Sequence, residues 1–350
     1  MPMTTQDLKQ IQLFRQHLTA PAGKLTVARD LCGIQCQFMT NALHSLQIRC
    51  NENVTMENLG QGLVKNWTIR GTVHIFDRED LPMFKYDNGD HMYRQHVWQG
   101  KTYGNRNRLT PDREDYFAKY IVNCVEKGIQ DREELKTACR DAGMTSTEES
   151  FIFDGWGGLL RPLCERGFLN YKVQQQKAFE IGPEFTPMEK EMALLSQMER
   201  YLHHIAPATV RDMAYFFGYS QSEVKKLLAQ LQVQTFSLNN TDYYYLGELK
   251  CNYPDIPDCI LLAGFDQLML GYQKKDSIYL KPEHLRGIFN LTGIVMPALL
   301  LGGEVAGRWK RKGKKLEITC FQKISNKEKK QVVDAAEKVW MKEISAIEYN

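Results

Sequence analysis

The sequence predicts an α+β fold that is mostly helical, with three tandem winged-helix (helix-turn-helix) motifs and a β-rich C-terminal part. Three segments of the chain each combine helix caps and an apolar stripe with strand-like residues that come next in the sequence. After about Pro254 the sequence changes to short β-like runs. At 350 residues the chain is also too long for one ordinary core. We expect winged-helix units at residues 1–110, 111–185 and 186–252, and the β-rich part at 253–350.

The third unit carries the clearest signals. Pro207 opens a helix that Gly218 ends, and Ser220 caps the next helix with a glutamate three residues on, which is a capping box. Two short strands around Asn239-Asn240 then predict the hairpin, or wing. The alternative for all three units is a set of interaction modules that make no contact with DNA.

The other two units follow the same plan less cleanly. In the first, Thr26 and Thr40 are expected to cap helices, and residues 67–76 predict one strand. In the second, Asp131 caps a short helix, and a longer helix is expected through residues 159–164.

Positive charge is concentrated near the C-terminus although the net charge is only +3. Residues 302–330 contain ten Lys/Arg and three Glu, a local net charge of +7, which is typical of a nucleic-acid footprint. The alternative is a solvated hairpin and linker. The basic residues around the predicted Gly313 turn are Arg308, Lys310, Arg311, Lys312, Lys314 and Lys315. The third unit adds Lys225 and Lys226 as candidate DNA contacts.

Several classes of protein are not indicated by the sequence. Nine scattered cysteines favour reduced thiols, and Cys32 with Cys36 lacks a second ligand pair, so neither disulfides nor a metal site is predicted. The longest apolar stretch, residues 294–301, is far shorter than the roughly 20 residues of a membrane span. The N-terminus has no signal core and the chain no phosphate-binding loop. We therefore expect a cytoplasmic protein that needs neither a membrane nor a nucleotide cofactor.

Gln35 and Gln37 form the most suggestive polar pair in the first unit. If Thr40 caps a fresh helix, residues 35–39 form an extended turn, where positions i and i+2 share a face. The two amides would then point together. The alternative is that both amides merely cap a turn.

Four stretches of the chain, in order, span roughly residues 10 to 320. They are Gln35-Cys36-Gln37; Trp67-Thr68-Ile69-Arg70-Gly71-Thr72-Val73-His74; Pro207-Ala208-Thr209-Val210-Arg211-Asp212; and Ala263-Gly264-Phe265-Asp266, followed by Gly271-Tyr272 and Val305-x-Gly307-x-Trp309. Together they resemble the winged-helix family typified by AlkZ and YcaQ, bacterial DNA glycosylases that remove alkylated bases and unhook interstrand crosslinks.

The resemblance implies three winged-helix motifs curved around duplex DNA, with Gln35 and Gln37 as the catalytic element. One branch of the family has Asp at the second position, so this chain looks like the other, Gln-x-Gln branch. Cys36 and Ala263 depart from the usual residues without altering the predicted chemistry. Arg70, Thr72 and His74 could line the same cleft, with a structural histidine as the alternative for His74.

The predicted function is that of a monofunctional DNA glycosylase for cationic N7-alkylpurines, including crosslinks, acting as a monomer on damaged double-stranded DNA without a cofactor. Glutamine is a weak general base, but a cationic base leaves as a neutral group, so placing a water suffices. The alternative is a non-catalytic DNA-binding protein or regulator that uses residues 221–231 in the major groove.

Overall fold

A computed structural model of the chain describes residues 3–90, 109–155 and 157–350. It mixes helices with mainly antiparallel strands, which agrees with the predicted α+β class. The chain divides into two compact bodies. We call Met1–Thr55 with Gln197–Asn350 the terminal body, and Met56–Ser196 the central body. The three tandem winged-helix units and their boundaries stay a prediction.

The terminal body contains helices from both ends of the chain. Their bounds are Thr5–Arg15, Lys24–Asp30, Met39–Gln47, Val210–Phe217, Gln221–Leu228, Gln267–Leu270, Leu285–Ile288 and Asn326–Trp340. The helix Lys190–His204 begins before the boundary and ends after it. The first helix is joined to the third predicted unit by polar contacts, because Gln12 Nε2 donates to the Pro207 carbonyl at 2.7 Å and Arg15 donates to the Leu202 carbonyl at 2.8 Å.

A five-stranded sheet forms the C-terminal part of this body. In spatial order its strands are Ala346–Tyr349, Lys315–Cys320, Glu304–Lys312, Ala298–Leu301 and Cys259–Leu261. The first pair is parallel and the others are antiparallel. One face packs against the helix Asn326–Trp340, and Trp309 and Trp340 meet there with ring centroids 5.3 Å apart. Three of these strands overlap the β-like runs that the sequence predicted at residues 260–263, 305–309 and 316–321, whereas Ala298–Leu301 and Ala346–Tyr349 were not predicted.

The local signals of the third predicted unit are confirmed except for the start of its first helix. Gly218 ends the helix Val210–Phe217 in the left-handed conformation, and Ser220 makes the predicted capping box at the start of Gln221–Leu228. Asn239 and Asn240 both have positive φ, as a two-residue hairpin turn requires. They join the strands Gln234–Leu238 and Thr241–Tyr245. The first helix begins at Val210 rather than Pro207.

The central body packs helices against a smaller antiparallel sheet. Its helices are Leu81–Phe84, Pro111–Glu126, Arg132–Asp141, Ser146–Ile152 and Leu160–Glu165. Its strands, in spatial order, are Val73–Asp77, Leu63–Trp67, Leu169–Tyr171 and Phe179–Ile181. Phe117, Ile121, Leu135 and Phe179 are fully buried in the core between helices and sheet.

Four further local predictions were wrong. Residues 67–76 form two strands instead of one, because Arg70 and Gly71 turn the chain back with φ of 57° and 60°. The expected longer helix through residues 159–164 is only Leu160–Glu165, preceded by two glycines with positive φ. Thr26 and Thr40 lie inside helices that begin at Lys24 and Met39, so neither is a cap. The predicted cap at Asp131 is confirmed.

No helix among the described ranges has both the length and the apolar composition needed to cross a membrane.

Candidate active site

The Gln-x-Gln turn follows a sharp change of direction in the terminal body. After the helix Lys24–Asp30, Cys32 and Gly33 have φ of 56° and 87°, and the chain then enters the short strand Ile34–Gln35. The chain then bends at Gln37 and Phe38, and Phe38 has φ of −127° and ψ of 122°. Only Ile34–Gln35 is a strand, the next helix begins at Met39 without a threonine cap, and a shared orientation of the two amides stays a prediction.

The two glutamines differ in exposure. Gln35 is buried, with 6% of its surface exposed, whereas Gln37 is exposed to solvent. Between them Cys36 is buried, and its thiol donates to Met39 Sδ at 3.2 Å. One amide is thus set into the protein and the other lies at its surface.

The side chain of Gln267 bonds to the backbone just before the Gln-x-Gln turn. Its side-chain Nε2 donates to the carbonyl of Leu31 at 2.6 Å and to that of Gly33 at 3.1 Å. Because both carbonyls lie within four residues of Gln35, the buried Gln267 amide restrains the chain that leads into the turn. Its partners are more than 230 residues away in sequence, and no local pattern indicated them.

The stretch Ala263-Gly264-Phe265-Asp266 supports the same turn from the other side. A Cβ on Gly264 would lie 2.6 Å from Asn41 Nδ2, so a larger residue here would displace the Asn41 amide on the helix that begins at Met39. The ring of Phe265, whose own φ is 57°, lies 6.1 Å from the ring of Phe38. This ring contact therefore lies at the N-cap position of that helix, which has no side-chain cap.

Asp266 has a structural role that the sequence left unassigned. Its carboxylate accepts two hydrogen bonds from Arg49, at 2.9 and 2.7 Å, and both side chains are fully buried. It also accepts from the backbone N–H of Leu268, which caps the short helix carrying Gln267. The remaining Arg49 donors bond the Gln16 and Ser45 carbonyls, so the ion pair joins three segments of the terminal body.

The family stretch at residues 67–74 forms a hairpin in the central body. Trp67 pairs with Val73, and His74 lies opposite Asn66. Arg70 and Thr72 occupy the partly exposed turn, while His74 is fully buried. The expected common polar face of one continuous strand is therefore absent from this hairpin.

His74 is enclosed by its own hairpin. Its Nδ1 lies 2.7 Å from Thr68 Oγ and 3.1 Å from the Thr72 carbonyl. Burial, with a smaller contribution from the positive charge of Arg70, lowers the pKa of His74 to about 3. The ring is therefore neutral at neutral pH, which matches the alternative of a structural histidine. A role for Arg70 and Thr72 in lining a cleft stays a prediction.

A buried lysine anchors this hairpin. Lys85 is fully buried and its ammonium donates to the Trp67 carbonyl at 2.7 Å and the Cys164 carbonyl at 3.1 Å. Desolvation lowers the pKa of Lys85 to about 7. Arg161 stacks over the Trp67 ring at 4.0 Å and pairs with Glu165 at 2.7 Å. Trp67 is thus held by Lys85 through its carbonyl and by Arg161 through its ring, which is a structural role.

The basic hairpin exists as predicted, with Gly313 at its turn, but half of its charge is already paired. The pairs are Arg311–Glu343 at 2.6 Å, Lys312–Glu317 at 2.8 Å and Lys315–Glu348 at 2.5 Å. Arg308, Lys310 and Lys314 make no ion pair with any residue in the described part of the chain. The candidate phosphate contacts thus fall into a paired group and an unpaired group.

Lys225 and Lys226 lie on the exposed face of the helix Gln221–Leu228. The opposite face buries Val224, Leu227 and Leu228. The helix therefore presents both ammonium groups to solvent, and the hairpin of Gln234–Leu238 and Thr241–Tyr245 follows it in the chain.

Comparison with known proteins identifies the family. The family model described as "DNA glycosylase AlkZ-like" matches residues 28–340. The chain is 26% identical over 329 residues to a Streptomyces sahachiroi protein named "Interstrand DNA cross-link repair glycosylase", covering 88% of this chain and 87% of that protein. It is also similar in fold to the solved structure of Streptomyces sahachiroi DNA glycosylase AlkZ, with a TM-score of 0.79, 21% identity and full coverage of both chains. The chain therefore belongs to the AlkZ-like family of DNA glycosylases.

Proposed function

We propose that this DNA glycosylase hydrolyses the N-glycosidic bond of cationic N7-alkylpurines in double-stranded DNA. Gln35 and Gln37 hold the attacking water and stabilise the positive charge that develops on the sugar. The observation that carries the proposal is the restraint of this turn by the buried Gln267 amide, which donates to the Leu31 and Gly33 carbonyls. Dipoles held in advance of the reaction stabilise a transition state without the cost of reorienting.

Two amides suit this reaction because the leaving group needs no acid. In an N7-alkylated guanine the electron pair of the breaking C1′–N9 bond neutralises the cationic base, which departs uncharged. Water oxygen bonds to C1′ and its proton passes to solvent. A single oriented dipole is worth roughly 3–4 kcal/mol, or 10²–10³ in rate. This is enough for a labile cationic lesion and too little for an undamaged nucleotide.

The same reasoning extends the substrate class to interstrand crosslinks. The Streptomyces sahachiroi relative is named for their repair. A crosslink attached through guanine N7 carries the positive charge that makes the base a good leaving group. Amide side chains impose no requirement on the far end of the adduct, because they act at the sugar.

For binding, we propose that the three winged-helix units curve along the duplex and that the protein works as a monomer in the cytoplasm. The wing after Gln221–Leu228, with exposed Lys225 and Lys226, supports a DNA-facing role for the third unit. A non-catalytic regulator is the less favoured function, because the match to a family of DNA glycosylases covers residues 28–340.

The direct test is base release. Duplex DNA with one N7-methylguanine is incubated with excess protein, and the freed base is measured by chromatography and mass spectrometry. We expect release from the lesion duplex and none from the matched undamaged duplex. Binding of the lesion duplex without any release would contradict the proposal.

The basic hairpin gives a second test, with a control inside the same hairpin. Each lost phosphate contact lowers the slope of log K against log salt by roughly 0.9. Changing the unpaired Arg308, Lys310 and Lys314 to glutamine should lower the slope by about 2–3 on any DNA sequence. The equivalent change of the glutamate-paired Arg311, Lys312 and Lys315 should have a smaller effect. Equal slopes for both triple variants and the wild type would show that the hairpin side chains do not contact DNA phosphates.

A further inference from the structure

Leu291 is the most exposed large apolar residue in the described part of the chain, with 84% of its surface in solvent. It lies at the tip of a turn made by hydrogen bonds. The Asn290 side-chain oxygen accepts from the Thr292 N–H at 3.0 Å, the Thr292 hydroxyl at 2.9 Å and the Ile294 N–H at 2.8 Å. Gly293 supplies the positive φ, 83°, that the turn needs. The tip is therefore a fixed projection.

Nothing within the turn requires a leucine. Asn290, Thr292 and Gly293 each have a turn role, whereas the Leu291 side chain points away from the protein. The base of the turn is anchored by Phe289 and Val295, which are buried and bridge each other. Single exposed leucines are common on protein surfaces, so the exposure of Leu291 alone does not indicate a function. Its position in the fold is the further observation.

The turn is linked to the candidate active site. The Val295 carbonyl accepts from the Phe265 N–H at 3.1 Å. The Phe265 ring packs against Phe38, with centroids 6.1 Å apart, and Phe38 directly follows Gln37. One hydrogen bond and one ring contact therefore join the base of the Leu291 turn to the Gln-x-Gln turn.

The turn also lies toward the same end of the sheet as the basic hairpin. Ala298 pairs with Arg308 in antiparallel register, and the Trp309 N–H donates to the Pro297 carbonyl at 3.0 Å. Traced backward from Ala298, the chain thus runs beside the strand that continues to Lys312 and Gly313. The chain that follows Leu291 is therefore connected both to the Gln-x-Gln turn and to the strand that leads into the basic hairpin.

We propose that Leu291 is a wedge that inserts into the base stack of the duplex beside the lesion. This inference rests on the proposed glycosylase function and adds how the lesion is reached. Proteins that open DNA insert leucine and similar apolar side chains between base steps, and enzymes acting on a base must take it out of the stack. Leu291 supplies the apolar side chain, and the hydrogen-bonded turn holds that side chain in place. The basic hairpin supplies the phosphate contacts.

The test compares Leu291→Ser and Leu291→Met with Val333→Ser. Val333 is also an exposed aliphatic residue, at 38%, on the helix Asn326–Trp340. Single-turnover release of N7-methylguanine is measured from a duplex and from the same lesion in a single strand. We expect Leu291→Ser to lower the duplex rate at least tenfold and the single-strand rate less than threefold, because only the duplex stack must be opened. Leu291→Met and Val333→Ser should remain near wild type.

A second readout does not depend on catalysis. With 2-aminopurine beside the lesion, binding of the wild type should raise the fluorescence as the base unstacks, whereas binding of Leu291→Ser should not. Equal fluorescence and equal duplex rates for Leu291→Ser and wild type would overturn the wedge. A wild type that released no base at all would instead overturn the glycosylase proposal, so the two failures are distinguishable.

Discussion

Replacing Gln35 with alanine is expected to lower single-turnover release of N7-methylguanine from duplex DNA by about 100-fold or more. Gln35 is the buried member of the pair, set between the turn at Gly33 and the helix that begins at Met39. Its loss removes an oriented dipole that no neighbouring solvent molecule replaces in the same geometry. The measurement is release of base at saturating protein, beside lesion binding and thermal melting of each variant.

Gln37→Ala distinguishes a loss of catalysis from a loss of stability better than Gln35→Ala does. Gln37 is exposed, so its side chain contributes little to the free energy of unfolding. We expect an almost unchanged melting temperature and a loss of excision similar to that of Gln35→Ala. The double variant should be little worse than the more damaging single one, since both amides act on one water. Gln6→Ala, an exposed glutamine on the helix Thr5–Arg15, is the matched control and should excise normally.

Two outcomes would contradict this assignment. If the pair only caps a turn, each alanine variant would lose about 0.5–2 kcal/mol of stability and keep its excision rate. If a carboxylate could not work at the second position, Gln37→Asp would be inactive. We expect Gln37→Asp to keep measurable activity, because it retains an acceptor oxygen and adds a charge that attracts the developing cation.

The sequence predicted best the features whose causes are local. Ser220 capped its helix and the Asn239-Asn240 pair made its hairpin, because each depends on residues within about four positions. The hairpin at Arg70-Gly71 was missed although the glycine was a usable signal, since a glycine inside a strand pattern often marks a bend. Positive φ at Arg70 has no such signal.

Features that depend on distant partners could not be predicted. Thr40 has the residue type of a cap, yet the helix begins at Met39, and the residue before it, Phe38, contacts the distant Phe265. The carbonyls that Gln267 bonds and the arginine that pairs with Asp266 are 217 or more positions away, so no periodicity could assign those contacts. The sequence therefore indicated which residues form the candidate turn, and the structure adds the residues that hold it.

Asp266→Ala is expected to cause the largest loss of stability, roughly 3–5 kcal/mol, because it leaves the fully buried Arg49 guanidinium without its carboxylate. The variant also loses the cap of the helix that carries Gln267. Asp276→Ala is the matched control. It breaks the exposed Arg211–Asp276 pair, 3.0 Å apart, and should cost less than about 1 kcal/mol. Urea unfolding of both variants gives the comparison.

Measuring the excision rate together with the stability distinguishes a general loss of stability from a displaced active-site turn. At a temperature where Asp266→Ala is still folded, its excision rate should also fall, because Gln267 no longer holds the Leu31 and Gly33 carbonyls in place. Replacing both partners, as Arg49→Met with Asp266→Leu, removes the unpaired charge and should recover part of the stability. Excision should recover less, because leucine cannot cap the helix that positions Gln267. An Asp266→Ala protein that lost no more stability than Asp276→Ala, and excised normally, would show that the buried pair does not support the turn.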